Sequence, residues 1–303
     1  MPPSPTSSAV LPKSQWMEDP SLPLFVHLRD PQPEFPLHAH EFSELVIILR
    51  GTARHSVHSP VSAPRGGAVQ TFAVRRGDAF VIAPGTRHQY QDMHNLVLAN
   101  LLFDSDALRM HEWDIRSLPG FHALFALEPA YRRQHQFRSR LQLEDRELSA
   151  VLAHILALRG ELAQGSPGYR VMAVGRFMQI VVQLSRLYSG QPGTESLDLL
   201  RIGDAIAHLE THYAEPVTLG GLARMAHLSP RQFQRVFRAC MGRSPIDHLL
   251  HIRLQRAAEL LRTSGKSITD IAFECGFSDS NYFARVFRAR HGESPSSFRK
   301  GME

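Results

Sequence analysis

TLGGLARMAHLSPRQFQRVFRACMGRSP, residues 218–245, returns as SITDIAFECGFSDSNYFARVFRARHGESP, residues 267–295, one residue longer ahead of its RVFRA. Each copy carries the same parts. Thr218 and Ser267 can cap a short first helix, Ser229 and Ser278 a second, with Leu228 or Phe277 at the turn between them. In the second helix Phe233, Val236, Phe237 and Cys240 fall at i, i+3, i+4 and i+7, as do Phe283, Val286, Phe287 and Arg290. That spacing places one stripe against a core and leaves the opposite face outward. The pattern predicts two helix-turn-helix units in an all-α C-terminal domain.

The outward faces carry Arg231, Gln234, Arg235 and Arg238 in the first copy, and Ser280, Asn281, Ala284, Arg285 and Arg288 in the second. Arginine can bridge guanine O6 and N7, and glutamine or asparagine can bridge adenine N6 and N7. The remaining arginines suit phosphates. A solvated helix face explains one such helix as well as DNA contact does; two matched copies favour double-stranded DNA as the partner. Between the copies, Leu249, Ile252, Leu254, Ala257, Ala258 and Leu261 mark one helix from Pro245 to about Leu261. At 1.5 Å per residue it is roughly 25 Å long, suited to holding two heads near the ~34 Å repeat of the major groove.

Outward from the repeat, 303 residues suggest about two domains. The net charge of +5 is modest, but residues 216–246 hold five arginines and no acid, so the positive charge gathers late in the chain. Residues 22–103 read as short β-prone runs, ELVIILRGTARHSV and TFAVRRGDAFVIAP being the clearest, with a loop at 59–67. Leu148, Val151, Leu152, Ile155 and Leu158 then mark one helix, and Phe177, Ile180, Val181, Leu184 and Leu187 another. The fold class is therefore α+β. Its expected parts are a polar, frayed tail at 1–21, a β-barrel at 22–140, a helical segment at 141–189, a linker at 190–197 and the DNA-binding domain at 198–303. No apolar run is long enough to span a bilayer, and no cationic stretch precedes an apolar one at the N-terminus, which points to the cytoplasm. The two cysteines, Cys240 and Cys275, read as buried free thiols in a reducing compartment.

His38, His40 and Glu44 share strand parity, so they point to one side of an extended segment. His55, His58 and His94 have no spacing that joins them to that set, and surface or hairpin positions are expected for them.

Residues 198–300 resemble the DNA-binding domain of the AraC/XylS family of transcription regulators, the run IAFECGFSDSNYFARVFRARHGESPSSFR being its signature. The resemblance implies base contacts from Arg231, Gln234, Arg235, Ser280, Asn281 and Arg285, with Arg231 a departure from many relatives. HAHEFSELVIILRG and GDAFVIAPGTRHQYQD resemble the two-part cupin motif, with Ala83 where proline is common and Asp92 where asparagine is common. In metal-binding cupins the matching residues, His38, His40, Glu44 and His88, would hold a divalent ion. In cupin-type sensors of this regulator family the same groups serve as hydrogen-bond partners for a small effector without metal. Both uses, and a purely structural one, stay open, so no cofactor is required and a divalent metal is an option. FPLHAHEFSELVIILRG through LVLANLLF resembles the rhamnose-responsive regulators, which implies a sugar or polyol effector. The resemblance further implies an activator, contact with RNA polymerase, and a homodimer through the helices at 148–163 and 170–188, for which capping of the barrel's open face is the other role. A metal-dependent cupin enzyme joined to a DNA-binding domain is the alternative; the leading reading is not an enzyme.

Overall fold

The computed structural model describes residues 10–17, 19, 21–58, 69–110, 113–132, 136–191 and 193–300, and the chain divides into two compact units, Met1–Leu200 and Arg201–Glu303.

In the N-terminal unit two long strands, β4 (Ser43–His58) and β7 (Arg87–Phe103), pair antiparallel along their whole length. Strand β2 (Leu24–Arg29) flanks β7, while β6 (Asp78–Ile82) and β5 (Val69–Arg75) divide the far edge of β4 between them. The short β8 (Leu141–Gln142) extends β6, and β1 (Val10–Leu11) pairs in parallel with β3 (Ala39–His40). Leu45, Val46, Ile47 and Ile48 are all fully buried, the signature of a strand covered on both faces. Val46, Ile48, Phe80, Ile82 and Leu98 form the inner core with Phe137. On the opposite face Phe103 meets Phe177 at 5.0 Å, which places a helical layer there.

The long hairpin does not keep one parity. Register shifts fall between Ile48 and Arg50, Arg50 and Thr52, and Thr52 and Arg54. Gly51 makes the bend possible: its φ is +78°, and a Cβ would stand 2.3 Å from the carbonyl oxygen of Asn95. Before the bend the even positions Val46 and Ile48 face the inner core; after it the odd positions Ala53 and Val57 do. An inserted residue in one strand flips every later side chain to the other face.

A helical segment follows, with α1 (Pro119–Phe121), a π-helical turn (His122–Leu127) and α2 (Glu128–Tyr131). Just after it, Arg132 pairs with the buried Glu128 at 2.6 Å and donates to the Val81 carbonyl at 2.5 Å. Helices α3 (Asp145–Gln164) and α4 (Tyr169–Gly190) bury Leu148, Val151, Ile155 and Leu158, and Phe177, Ile180, Val181 and Leu184, as their periodicity predicts.

Helix α5 (Thr194–Thr211) runs across the boundary between the units. Of the expected linker, Gly190 ends α4 and residues 194–197 form the first turn of α5; the non-helical backbone is confined to residues between these helices. The expected frayed tail also differs in part. Residues 1–9, 18 and 20 lie outside the described residues, but Val10 and Leu11 form a strand, Lys13–Gln15 a 3₁₀ turn, and Leu11 and Trp16 are buried. Lys13 is tied to Asp104 by its ammonium group and to Glu41 by its backbone N–H. The loop expected at 59–67 lies outside the described residues.

In the C-terminal unit α6 (Leu219–Met225) and α7 (Pro230–Met241) form the first helix-turn-helix, and α9 (Ile268–Glu274) and α10 (Ser280–His291) the second. Helix α8 (Pro245–Thr263) joins them, and α11 (Pro295–Lys300) closes the chain. Thr218, Ser229 and Ser267 cap α6, α7 and α9 as expected. The α10 cap is Asp279, not Ser278: its carboxylate accepts from the Tyr282 N–H at 2.5 Å. Both reading helices thus have twelve residues, and each starts five residues ahead of the arginine of RVFRA. The additional residue of the second copy falls in the turn. In helical position Arg231 therefore corresponds to Asn281, Gln234 to Ala284, Arg235 to Arg285 and Arg238 to Arg288.

Candidate functional site

A cavity opens at one end of the strand unit, and its floor is polar. His40 Nε2 lies 3.0 Å and His88 Nε2 3.7 Å from the same carboxylate oxygen of Glu44. All three side chains are buried, and their donor atoms lie within 4.8 Å of one another. The His40 ring is fixed by its Nδ1, 2.5 Å from the Phe42 carbonyl, and by stacking on Phe42. His38 stands beside the cluster rather than in it. Its ring lies 4.4 Å from that of His88 and its Nδ1 bonds the Pro36 carbonyl at 2.9 Å. Of the four residues that parity and motif single out, three converge and the fourth lines the wall.

Behind the cavity wall lies a group that spacing did not reveal. His55 is fully buried, with Nε2 3.4 Å from Nδ1 of His88 and its ring stacked on Tyr90 at 4.9 Å. It faces inward because it follows the bend at Gly51, where parity reverses; the expected surface or hairpin position is corrected. His58 is half-buried at the end of β4 and His94 is exposed. Burial drives the His55 and His88 rings well below the ordinary imidazole range, and the neighbouring histidines and Arg132 push the same way. Burial lowers His38 as well. It raises the Tyr90 phenol well above its usual value, with Glu44 adding to the shift.

Five buried polar atoms without a hydrogen-bond partner belong to residues lining this cavity: Trp16 Nε1, Gln32 Oε1, His88 Nε2, Tyr90 OH and Asn100 Oδ1. Each unsatisfied buried group costs about 1–3 kcal/mol. Their gathering in one place marks a site shaped for a polar guest. Trp16, Phe35, Phe42, Leu11 and Leu102 supply apolar wall, giving the mixture of flat apolar surface and aimed polar groups that small-molecule sites share.

The reading faces of the C-terminal unit are of the opposite kind. Arg231, Gln234, Arg235 and Arg238 are exposed on α7, above the buried Phe233, Val236 and Phe237. Asn281, Arg285 and Arg288 are exposed on α10 and Ser280 is half-buried. Among the described residues no carboxylate pairs with any of these five guanidinium groups. Beneath α7, Phe237 packs on His248, which meets Glu210 at 3.0 Å. Beneath α10, Phe283 and Phe287 join Leu254, Leu261, Ile271 and Phe277. Tyr282 belongs to neither the apolar stripe nor the polar face that spacing marks out on α10. It is exposed, and its ring lies 5.4 Å from the Arg285 guanidinium, a cation–π contact that steadies that side chain.

Residues 24–181 match the AraC-like ligand binding domain, and residues 222–301 a helix-turn-helix domain. This chain belongs to the AraC family of transcription regulators. It is 34% identical over 279 residues to the HTH-type transcriptional activator RhaS of Escherichia fergusonii, covering 91% of each chain. It is 30% identical to the HTH-type transcriptional activator RhaR of Pectobacterium carotovorum, covering 90% of this chain and 88% of that one. Among solved structures, the DNA-binding domain of AdpA in complex with a target DNA is 32% identical, covers 33% of this chain and 91% of its own, and has a TM-score of 0.33. The β-rich ligand-binding unit and the helical DNA-binding unit are thus those of a DNA-binding transcription regulator. No helix among the described residues is long and apolar enough to cross a membrane.

Proposed function

We propose that this regulator is a cytoplasmic transcriptional activator controlled by a sugar-type effector held in the N-terminal cavity. The observation that carries the reading is the set of five unpartnered buried polar atoms lining one cavity of the ligand-binding domain. A polyhydroxylated ring satisfies such a set because each hydroxyl both donates and accepts, while Trp16 and Phe42 offer faces for its C–H surface. The effector would bias how α7 and α10 meet promoter DNA. Arg231, Gln234, Arg235, Asn281 and Arg285 would reach base edges, with Ser280, Arg238 and Arg288 nearer the backbone. Val171, Met172 and Leu156, exposed on α4 and α3, suit a homodimer through those helices, and RNA polymerase is the partner through which activation would be exerted. RhaS and RhaR, named above, are activators, which favours this sign of control and no catalytic activity.

The convergence of His40, Glu44 and His88 favours a second use of the same floor. Two imidazoles and a carboxylate suit a divalent transition metal, and the Nε2 atoms of both histidines converge on the Glu44 carboxylate as such a set requires. Such an ion would act as a Lewis acid toward effector hydroxyls. Metal analysis of the purified chain and of Glu44→Gln decides it: stoichiometric metal lost in the variant supports the ion, and metal-free protein removes it.

The effector reading is tested by thermal melting of the full chain against neutral and acidic monosaccharides. A stabilised N-terminal transition is expected for at least one; if none shifts it at millimolar concentration, the cavity is not a sugar site.

A further inference from the structure

The far end of the cavity carries a charge the floor does not. Arg29 lies on the inward parity of β2 with Phe25 and His27, opposite Leu98 of β7, and it lines the cavity. Its guanidinium turns back along the strand and donates to His27 Nε2 at 3.1 Å. That nitrogen is an acceptor, so the imidazole is neutral; burial, reinforced by Arg29, lowers its pKa to about 4. Among the described residues no carboxylate pairs with Arg29. The adjacent Asp30 is engaged by Arg50 at 3.0 Å, and Glu44 stands at the floor, 3.0 Å from His40 and 3.7 Å from His88. A half-buried guanidinium facing a cavity, held by a neutral group, is a donor fork without its anion.

The register sets the distance between the two ends. Glu44 lies opposite Leu102 and Arg29 opposite Leu98, four residues along β7, or roughly 13 Å at ~3.3 Å per residue. The long arginine side chain, turned toward the His27–Asn100 row, takes up part of that span. What remains suits one sugar ring carrying an acidic group.

We infer that the effector is a sugar acid, a uronate or aldonate, whose carboxylate is held by Arg29 while its hydroxyls reach Glu44, His40 and His88 at the floor. The inference rests on the sugar reading of the cavity and narrows it. A single guanidinium among neutral side chains, with a carboxylate at the opposite end, favours one negative charge over a phosphate dianion. Gln32 Oε1 and Asn100 Oδ1, both unpartnered, accept from hydroxyls beside the carboxylate. Planar bidentate pairing with the guanidinium then orients the ring in the cavity.

The test is calorimetric titration of the full chain with matched pairs: D-galactose and D-galacturonate, D-glucose and D-glucuronate, L-rhamnose and L-rhamnonate. At least one acid is expected to bind ten times more tightly, or better, than its neutral parent. Arg29→Gln should bring that pair to within about threefold, and Arg29→Lys should keep part of the preference, both variants melting like the wild type without ligand. A neutral parent binding as well as its acid in every pair overturns the inference and leaves the sugar cavity standing, as does an acid preference that survives in Arg29→Gln. Failure of all six to bind overturns the sugar reading and the inference together.

Discussion

The sensor cavity and the reading helices both present polar groups without protein partners, but they hold them in opposite settings. In the cavity the unpartnered groups are buried and, apart from the half-buried Arg29, carry no guanidinium or ammonium, so each is a standing cost that a guest of the right shape removes. On α7 and α10 the groups are cationic and wet, so they cost little until phosphates displace their counterions. The first arrangement selects by fit and the second recruits by charge. One region can therefore be silenced without unfolding the other, and the expected effects rank accordingly.

The largest concern the cores. Phe237→Ala or Phe283→Ala removes a fully buried ring and should cost about 3–5 kcal/mol of stability in the C-terminal unit. Melting of the full chain should show loss of DNA binding with effector titration unchanged; coupled loss of both would break the comparison. Gly51→Ala is next. Its positive φ and close approach to Asn95 should destabilise the N-terminal unit by about 2–3 kcal/mol, read as an early transition, with the DNA-binding unit intact.

The bend at Gly51 also explains what the sequence showed and what it hid. Helix-turn-helix periodicity is local, so both reading faces follow from spacing, and only the α10 cap moved, because the additional residue sits in the turn. His40, Glu44 and His88 could be found because His40 and Glu44 precede the bend and His88 belongs to a motif. His55 could not, since strand alternation predicts the wrong face once a bulge intervenes. Arg29, His27, Tyr90 and Trp16 reach the cavity through pairings distant in sequence. Trp16 arrives on a segment that composition alone assigns to a frayed end, because its anchors, Asp104 and the β3 strand, lie far along the chain.

Smaller effects sharpen the contrast between charge and fit. Arg235→Ala and Arg285→Ala should each cost about 1–3 kcal/mol of DNA binding and relax selectivity at one base step. Fluorescence anisotropy across salt concentrations distinguishes this from a phosphate contact, which gives a uniform loss and a shallower salt slope. The two helices should differ, since α7 offers Arg231 and Gln234 where α10 offers Asn281 and Ala284. In the cavity, Tyr90→Phe removes an unpartnered buried hydroxyl, so the ligand-free protein should gain about 1 kcal/mol while effector affinity falls; lower stability with unchanged affinity would mean the phenol is satisfied without a guest. The smallest effect is that of pH. Since His27 has a folded-state pKa depressed to about 4, against about 6.5 in the unfolded chain, the unfolded state binds more protons between those values. Its contribution to stability is present above pH 6.5 and is lost as pH falls toward 4. Arg29→Gln should raise the His27 midpoint in an NMR titration by removing the adjacent positive charge.

The central claim is that occupancy of the cavity changes DNA binding by the reading helices. It is tested most directly by measuring the affinity of the full chain for duplex DNA selected from a random library, with and without a saturating monosaccharide shown to bind. The account predicts an effector-dependent change, matched by an equal change in effector affinity when that DNA is bound. Equal DNA affinity with the cavity empty and filled would contradict it.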